Sequence, residues 1–224
     1  MRLVNIDLGI NIEIEENRVY EIVIENRTCF ADTGGMLAVQ TQGGEGDFVL
    51  SENNKELKLD KVVELIVDYF SFSPNDRRTL NRLYSVMEQA AQEHFEDKAV
   101  INEKMVNLLD DISISMGYNE LKYELDFKWT DIFKMFGVGF VDEYSSLSEK
   151  LTNYIKVVSE LTDIRLIVLV NIRSYLQRQE LVNLYDMASY YKVNLFLIEP
   201  SEYPDREREL RYIIDKDLCM IDAN

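Results

Sequence analysis

The sequence predicts an α/β protein in which both ends of the chain build one domain and the middle forms a helical insertion. Residues 166–170 read LIVLV, an apolar run that ends abruptly at Asn171. Such a run is typical of a strand that is buried on both faces of a parallel sheet. A helical pattern and a second apolar run, NLFLI at 194–198, follow it. Strand, helix and strand in this order predict a βαβ unit with two parallel strands.

The N-terminal part of the chain is rich in predicted strands. RLVNIDL, INIEIE and VYEIVIE are short runs that are enriched in Ile and Val, as strands are. Residues 48–59 predict a hairpin that turns at Asn53-Asn54. The run VVELIVDYF, residues 62–70, fits either a buried strand or a short helix.

Two long helices are predicted in the middle of the chain. Ser73 can cap the first helix, Pro74 suits its first position and Asp76 suits its first turn. The second helix ends at Gly117. Its apolar residues recur in steps of four and three, which predicts one face packed in a core, or an assembly surface formed with its neighbour; they are Ile101, Met105, Leu108, Leu109, Ile112 and Met116.

The C-terminal part returns to an α/β pattern. A helix with apolar spacing precedes LIVLV, and the end of the chain, RYIIDKDLCMID, predicts two short strands around Asp215-Lys216. Strands at both ends with helices between them predict one α/β domain from residues 1–70 and 140–224. Residues 71–139 would then form an inserted helical domain.

Composition narrows the classes of function. The chain has 224 residues and a formal net charge of −17, which argues against an open nucleic-acid-binding surface but allows a basic groove. The lone histidine, His94, excludes a zinc site built on several histidines and a Ser-His-Asp triad. No apolar stretch approaches the roughly 20 residues of a membrane span, and the N-terminus does not read as a signal peptide. Cys29 and Cys219 predict free thiols in a reducing cytosol, so we expect a cytoplasmic protein without membrane contact.

A nucleotide site is not expected. A phosphate-binding loop needs GxxxxGK[ST], and neither Gly34-Gly35 nor the GGEG at 43–46 is followed by Lys-Ser or Lys-Thr. Glu45 and Asp47 would repel phosphate. The GGEG segment predicts a turn instead, because glycine permits positive φ.

Two groups of charged residues could bind ligands. NELKYELDFKW, residues 119–129, would as a strand place Glu120, Glu124 and Asp126 on one face with Lys122 and Lys128. That face is either solvated and salt-bridged or a site for a divalent cation, since carboxylate oxygens suit Ca²⁺. Two clusters of basic residues are interleaved with acids, which favours surface ion pairing: Arg77, Arg78 and Arg82, and Arg206, Arg208 and Arg211.

The C-terminal segments resemble a known family in their order and spacing. LIVLVNIRSYL, VNLFLIEP and YIIDKDL, with FKMFGVGF at 133–140 before them, resemble the second Csn protein of type II-A CRISPR loci. These are accessory proteins of spacer acquisition. The similarity is fainter through SFSPNDRRTLNRL and is mainly one of pattern at the N-terminus.

The resemblance implies a fold and a function. It implies a domain like that of P-loop ATPases without the ATP-binding loop, a helical insertion, and no enzymatic activity or bound nucleotide. It further implies a ring-like homotetramer that binds Ca²⁺ through acidic residues, here Glu120, Glu124 and Asp126. Ends of linear double-stranded DNA would thread its basic hole, and other adaptation proteins would be partners. The candidate DNA-binding residues are Arg77, Arg78, Arg82, Lys122 and Lys128.

Two other functions stay open on the sequence. The protein could be a scaffold that binds other adaptation proteins and leaves DNA contact to them. It could also be a metal-dependent nuclease or hydrolase that uses the carboxylates at 120–126.

Overall fold

A computed structural model describes residues 1–117, 121–124, 126–204 and 208–223. The chain divides into two compact units. Met1–Pro74 and Asp142–Asn224 form the first, here called the head unit, and Asn75–Val141 form the second, here called the inserted unit. No helix in the described ranges combines the length and apolar character that crossing a membrane requires.

The described residues begin and end with strands, and the helices lie between them along the chain. The strands are β1 Arg2–Asn5, β2 Ile10–Glu13, β3 Val19–Ile24, β4 Val49–Glu52, β5 Lys55–Leu57, β6 Val63–Ile66, β7 Leu166–Val170, β8 Asn194–Glu199, β9 Glu209–Ile214 and β10 Met220–Asp222. The helices are α1 Arg27–Thr41, α2 Leu59–Val62, α3 Arg77–Ala91, α4 Phe95–Met116, α5 Trp129–Met135, α6 Leu147–Leu161 and α7 Arg178–Tyr190.

The head unit is built on two sheets. The larger has the strand order β10-β9-β3-β8-β7-β6, and all its neighbours are parallel except the antiparallel pair β9 and β10. The smaller sheet is antiparallel, in the order β2-β1-β4-β5. The predicted mixed α/β fold, its parallel sheet and its helical insertion are therefore confirmed.

Each central strand of the large sheet is buried on both faces. Leu166 and Val168 of β7 belong to a core that includes residues of the small sheet and α1, whereas Ile167 and Leu169 belong to a second core with α6 and α7. Successive side chains of a strand point to opposite faces. The run LIVLV is continuously apolar because both of its faces meet a core.

The predicted hairpin and the ambiguous segment have definite structures. Asn53 and Asn54 have φ of 51° and 62°, the left-handed values that a tight two-residue hairpin turn requires and that asparagine tolerates. In the ambiguous run, residue 62 ends α2 and Val63–Ile66 form β6. The segment is thus a helical turn that leads into a strand.

Helix α1 was not predicted from the sequence. Two glycines, Gly34 and Gly35, lie in its middle, and each weakens a helix by roughly 0.5–1 kcal/mol relative to alanine. The helix begins at the cap Asn26, whose side chain accepts hydrogen bonds from the N–H groups of Thr28 and Cys29, both at 3.1 Å. The cap and packing against the core outweigh the poor local propensity.

The two predicted helices of the insertion exist, with two corrections. Asp76, not Ser73, caps α3, and its carboxylate accepts from the N–H of Arg78 at 2.8 Å; Ser73 donates instead to Asp142 at 2.5 Å. Gly117 ends α4 with φ of 72°, as predicted. The core prediction for α4 is wrong, because no residue of this helix is buried.

Candidate functional site

All described candidate residues lie in the inserted unit. Arg77 and Arg78 occupy the first turn of α3, and Arg82 follows one turn later on the face of Arg78. Arg77 and Arg82 are exposed, and Arg78 is half-buried. A helix N-terminus carries partial positive charge, so arginines there cost stability but strengthen a potential that favours anions such as phosphate.

Residues 119–129, here called the acidic segment, do not form the predicted strand where the structure describes them. Residues 121–124 and 126–128 have no regular secondary structure, and Glu120 lies outside the described residues. Side chains still alternate over part of the segment, with Lys122, Glu124, Asp126 and Lys128 exposed. A strand needs a neighbour for its backbone hydrogen bonds, and alternation alone does not provide one.

Side-chain contacts attach this segment to α4. The ammonium group of Lys98 lies 3.0 Å from each carboxylate oxygen of Asp126 and 5.2 Å from the ring centre of Phe127. The hydroxyl of Tyr123 donates to the carboxylate of Asp110, and this hydrogen bond raises the pKa of Tyr123. The segment is thus held at both ends by charged groups of one helix.

Two carboxylates of the acidic segment could each offer oxygen atoms to a cation. Glu124 and Asp126 offer hard carboxylate oxygens, which suit Ca²⁺. In residues 1–117, 121–124, 126–204 and 208–223, however, no group of three or more His, Cys, Asp or Glu side chains could hold a metal ion. The two carboxylates fit Ca²⁺ only with further oxygen ligands, and the counter-ion now beside Asp126 is Lys98.

Neither glycine-rich segment is placed to cradle a phosphate. Gly34-Gly35 lie inside α1, and GGEG follows the C-terminal end of α1, which carries partial negative charge. Gly43 lies in a turn with φ of 91°, whereas residues 44–46 of the predicted turn have no regular secondary structure. A Cβ added at Gly44 would lie 2.4 Å from Cγ1 of Val39, so this glycine is needed for close packing.

The amide at the end of β7 has a structural explanation. Asn171 has φ of 57°, a left-handed conformation that asparagine adopts more readily than most residues. Its N–H donates to the carbonyl of Ile198 at 2.8 Å, and its Oδ1 accepts from the hydroxyl of Ser174 at 2.7 Å. Asn171 therefore turns the chain from β7 into the following 3₁₀ turn.

The head unit contains a buried charge network that the sequence analysis did not predict. Arg173 donates to Glu21 on β3 at 2.6 Å and to Glu209 on β9 at 2.5 Å. Arg211 pairs with the second carboxylate oxygen of Glu21, and Tyr185 of α7 donates to Glu209 at 2.8 Å. These two arginines and the two glutamates have side chains that are at most 6% exposed. Two buried guanidinium groups thus neutralise two buried carboxylates.

A third carboxylate adjoins this network at the end of β8. Glu199 is fully buried, and its Oε1 accepts from the N–H of Arg173 at 3.2 Å. Its Oε2 has no hydrogen-bond partner within the described residues. Burial raises the pKa of Glu199 to about 7. The hydrogen bond from the N–H of Arg173 lowers this pKa, and the charge of Glu21 raises it.

The sequence carried a signal for this network. Glu21 interrupts the apolar strand VYEIVI, and a charge inside a buried strand requires a partner. The prediction of surface pairing is wrong for Arg211, whose side chain is 4% exposed. It is right for Arg208, which pairs with Asp186 at 2.7 Å with both side chains at least half exposed. Arg206 lies outside the described residues.

Comparison with known proteins confirms the resemblance noted from the sequence. The family model for CRISPR-associated protein (Cas_Csn2) matches residues 40–218. CRISPR-associated protein Csn2 of Streptococcus agalactiae is 25% identical over 177 residues, which cover 79% of this chain and 78% of the relative. CRISPR-associated protein Csn2 of Enterococcus faecalis is 22% identical over 161 residues, 70% of each chain. Because the family model matches well over half of its length, this chain belongs to the Csn2 family of CRISPR-associated proteins.

Proposed function

We propose that this chain is a non-enzymatic protein of CRISPR adaptation that assembles into a ring and binds the ends of linear double-stranded DNA. Calcium supports the assembly, and the protein acts in the cytoplasm in antiviral defence beside other adaptation proteins. The observation that carries the adaptation role is membership of the Csn2 family, which extends over residues 40–218.

The junction of β3 and α1 supports a P-loop-like scaffold that has lost its nucleotide. A P-loop joins a strand to a helix through GxxxxGK[ST]. Here β3 ends at Ile24 and α1 begins at Arg27, so only Glu25 and Asn26 connect them. Two residues cannot wrap a phosphate, and the side chain of Asn26 already accepts from two N–H groups of the helix N-terminus. This geometry favours a protein that neither binds nor hydrolyses ATP.

The exposed apolar face of α4 supports self-association. The six residues that recur along the helix are each between 38% and 59% exposed. Covering the exposed part of each side chain would contribute roughly 1 kcal/mol, about half of the value for complete burial. A helix of 22 residues is about 33 Å long, which gives a second copy an extended apolar stripe to pack against.

The acidic balance explains why a cation would assist the assembly. With a net charge of −17, copies of this chain repel one another. A divalent cation held by Glu124 and Asp126, with Glu120 as a further ligand, would reduce that repulsion locally. The role of calcium in this proposal is therefore structural.

DNA contact would be made through phosphates. The proposed residues are arginines and lysines, whose contacts with phosphate oxygens position the duplex without reading its sequence. They are Arg77, Arg78 and Arg82 at the start of α3 and Lys122 and Lys128 around the acidic segment. We therefore expect binding that is independent of sequence and weakens with salt.

One experiment separates DNA-end binding from the alternative scaffold role, which the strongly acidic composition favours. Gel shifts should compare one DNA sequence as linear duplex and as closed circle, at matched salt and with Ca²⁺. A ring threaded from the end requires binding to the linear form and little binding to the circle. Equal affinity for both would contradict threading, and binding to neither would favour the scaffold.

A further inference from the structure

The apolar face of α4 stays open although the acidic segment contacts the same helix. The half-buried residues of the helix recur along a neighbouring face: Lys98, Asn102, Val106 and Ser113. The contacts of the acidic segment are made to Lys98 and Asp110, whereas the apolar residues from 101 to 116 are each at least 38% exposed. The acidic segment therefore lies beside the apolar face and does not cover it.

The centre of this face follows the pattern of a helix that pairs with a second helix. In a heptad written abcdefg, the a and d positions form the seam between two paired helices. Four successive a and d positions of α4 are apolar: Ile101 and Leu108 at d, Met105 and Ile112 at a. The next positions on either side are polar, with Lys98 at a and Ser115 at d. The seam is thus a defined patch of four apolar layers with a polar residue at each end.

Two charged residues border the seam on the side away from the acidic segment. Lys104 and Asp111 take the two g positions of this stretch, and both are exposed. Neither forms an ion pair with another residue that the structure describes. Charges at g positions set the partner and the orientation of paired helices. A lysine and an aspartate seven residues apart are therefore the feature that selects what can lie on this face.

We propose that two copies of this chain pair through α4 with their helices antiparallel. When the four apolar layers are aligned, Met105 of one copy faces Leu108 of the other, and Ile101 faces Ile112. The g positions of antiparallel helices also face each other, so this same register places Lys104 opposite Asp111 of the second copy. Two-fold symmetry repeats each contact.

The opposite orientation lacks this match of charges. In parallel helices a g position faces the following e position of the partner. Lys104 would then face Leu109, and Asp111 would face Met116. The inference rests on the proposed self-association and gives it a surface, an orientation and a register.

Charge reversal tests the pairing on the full chain. Sedimentation velocity over a dilution series, at one salt and one Ca²⁺ concentration, gives the dissociation constant. Lys104→Glu and Asp111→Lys should each weaken association about tenfold, because two exposed ion pairs are replaced by two repulsions, and the double reversal should return to within about threefold of the wild type. Glu103→Lys is the matched control, since Glu103 is an exposed acid of α4 at an f position, away from the seam. Both Asp111→Lys and Glu103→Lys make the chain less acidic, so net charge alone predicts tighter association for both.

Cysteine cross-linking tests the register independently. Cys219 is exposed and Cys29 is buried, so Cys219→Ser provides the background. Chains carrying Met105→Cys and chains carrying Leu108→Cys are oxidised separately and as a mixture. Antiparallel pairing predicts rapid disulfide formation only in the mixture, whereas parallel pairing predicts that each variant cross-links to itself.

Each outcome decides the proposal. Weakening by both single reversals, recovery in the double reversal and a disulfide specific to the mixture support it. It is overturned if Asp111→Lys behaves like Glu103→Lys, if the double reversal does not recover, or if neither cysteine variant cross-links; an assembled wild type would then use another surface, and the proposed ring would stand. A wild type that stays monomeric at every concentration would sink both this inference and the proposed self-association, and would leave the α4 face to a different protein.

Discussion

Replacing Glu199 by glutamine should raise the free energy of unfolding, relative to the wild type, more at alkaline pH than at acidic pH. In the folded protein burial raises the pKa of Glu199 from 4.5 to about 7. A group whose pKa rises on folding favours the folded state fully below its unfolded pKa, and this contribution is lost as the pH rises through the folded value. Above neutral pH the wild type must keep a third ionised carboxylate buried beside Glu21 and Glu209, whose charges are already paired with Arg173 and Arg211.

The magnitude follows from the same pKa. One unit of pKa corresponds to about 1.4 kcal/mol, so the ionised state of Glu199 costs about 3 kcal/mol well above pH 7. Between about pH 5.5 and about pH 8.5 this group alone should lower the free energy of unfolding by about 2 kcal/mol. Glutamine has nearly the same shape and does not titrate, so Glu199→Gln should lack this loss.

The assay is urea unfolding followed by far-ultraviolet circular dichroism at several pH values across that range. The quantity to compare is the difference in the free energy of unfolding between variant and wild type at each pH. The new amide changes stability by itself at every pH, so only the variation of this difference with pH reports the titration of Glu199. Glu16→Gln removes an exposed carboxylate of the same unit and serves as control. A difference for Glu199→Gln that stays constant with pH to within about 0.5 kcal/mol, the usual scatter of surface substitutions, would refute the reasoning.

Three further predictions concern the inserted unit. Leu108→Lys on the apolar face of α4 should lower the mass measured by light scattering, whereas Asn107→Lys, next to it but off that face, should not; equal masses would contradict assembly through α4. The double variant Glu124→Ala, Asp126→Ala should weaken the oligomer in Ca²⁺, and an unchanged mass and unchanged thermal shift with Ca²⁺ would place the site elsewhere. Arg77→Gln should reduce the salt slope of DNA binding by about one and weaken all sequences alike, while an unchanged slope would remove this residue from the interface.

The fold class could be predicted because buried parallel strands leave a local signature. LIVLV and NLFLI are continuously apolar since both faces of β7 and β8 meet a core. Helix α1 left no such signature, because Gly34 and Gly35 interrupt it and its stability comes from the Asn26 cap and tertiary packing. Local propensity reports what a segment favours alone, and α1 is a case in which the rest of the fold decides.

The apolar face of α4 shows a different limit of sequence reasoning. Periodicity correctly predicted the helix and which residues share a face, but it left open whether that face packs in a core or forms an assembly surface. A periodic pattern reports that a face avoids water; it does not say whether the same chain or another one covers it.

The buried network could not be assembled from local patterns. Glu21 and Arg211 are 190 positions apart and meet because β3 and β9 are parallel neighbours in matching register. Arg211 was grouped with Arg206 and Arg208 by sequence, but its position opposite Glu21 in the sheet places it in the network, whereas Arg208 pairs with Asp186. Which charges pair here therefore depends on the order of the strands in the sheet, and no local sequence pattern contains that order.

The distribution of charge decides where a duplex could touch so acidic a protein. Residues 75–141 contain 8 Lys and Arg against 12 Asp and Glu, a net charge of −4, which leaves −13 of the total −17 for the head unit. Two head-unit arginines, Arg173 and Arg211, are also buried in ion pairs and cannot reach DNA. Contact through the inserted unit is therefore electrostatically less costly than contact through the head unit.

Within the inserted unit, the distance over which charges act on a DNA phosphate matters more than the net charge of the unit. Charges in water are screened beyond about 8 Å at physiological ionic strength. Arg77 and Arg82 are five residues apart on α3, about 7.5 Å along the helix axis. A phosphate near this helix end would therefore respond mainly to charges within that distance, which include the three arginines and the capping Asp76. Dilute salt lengthens the screening distance, so the net charge of −17 should then partly offset the gain in affinity that counterion release gives at low salt.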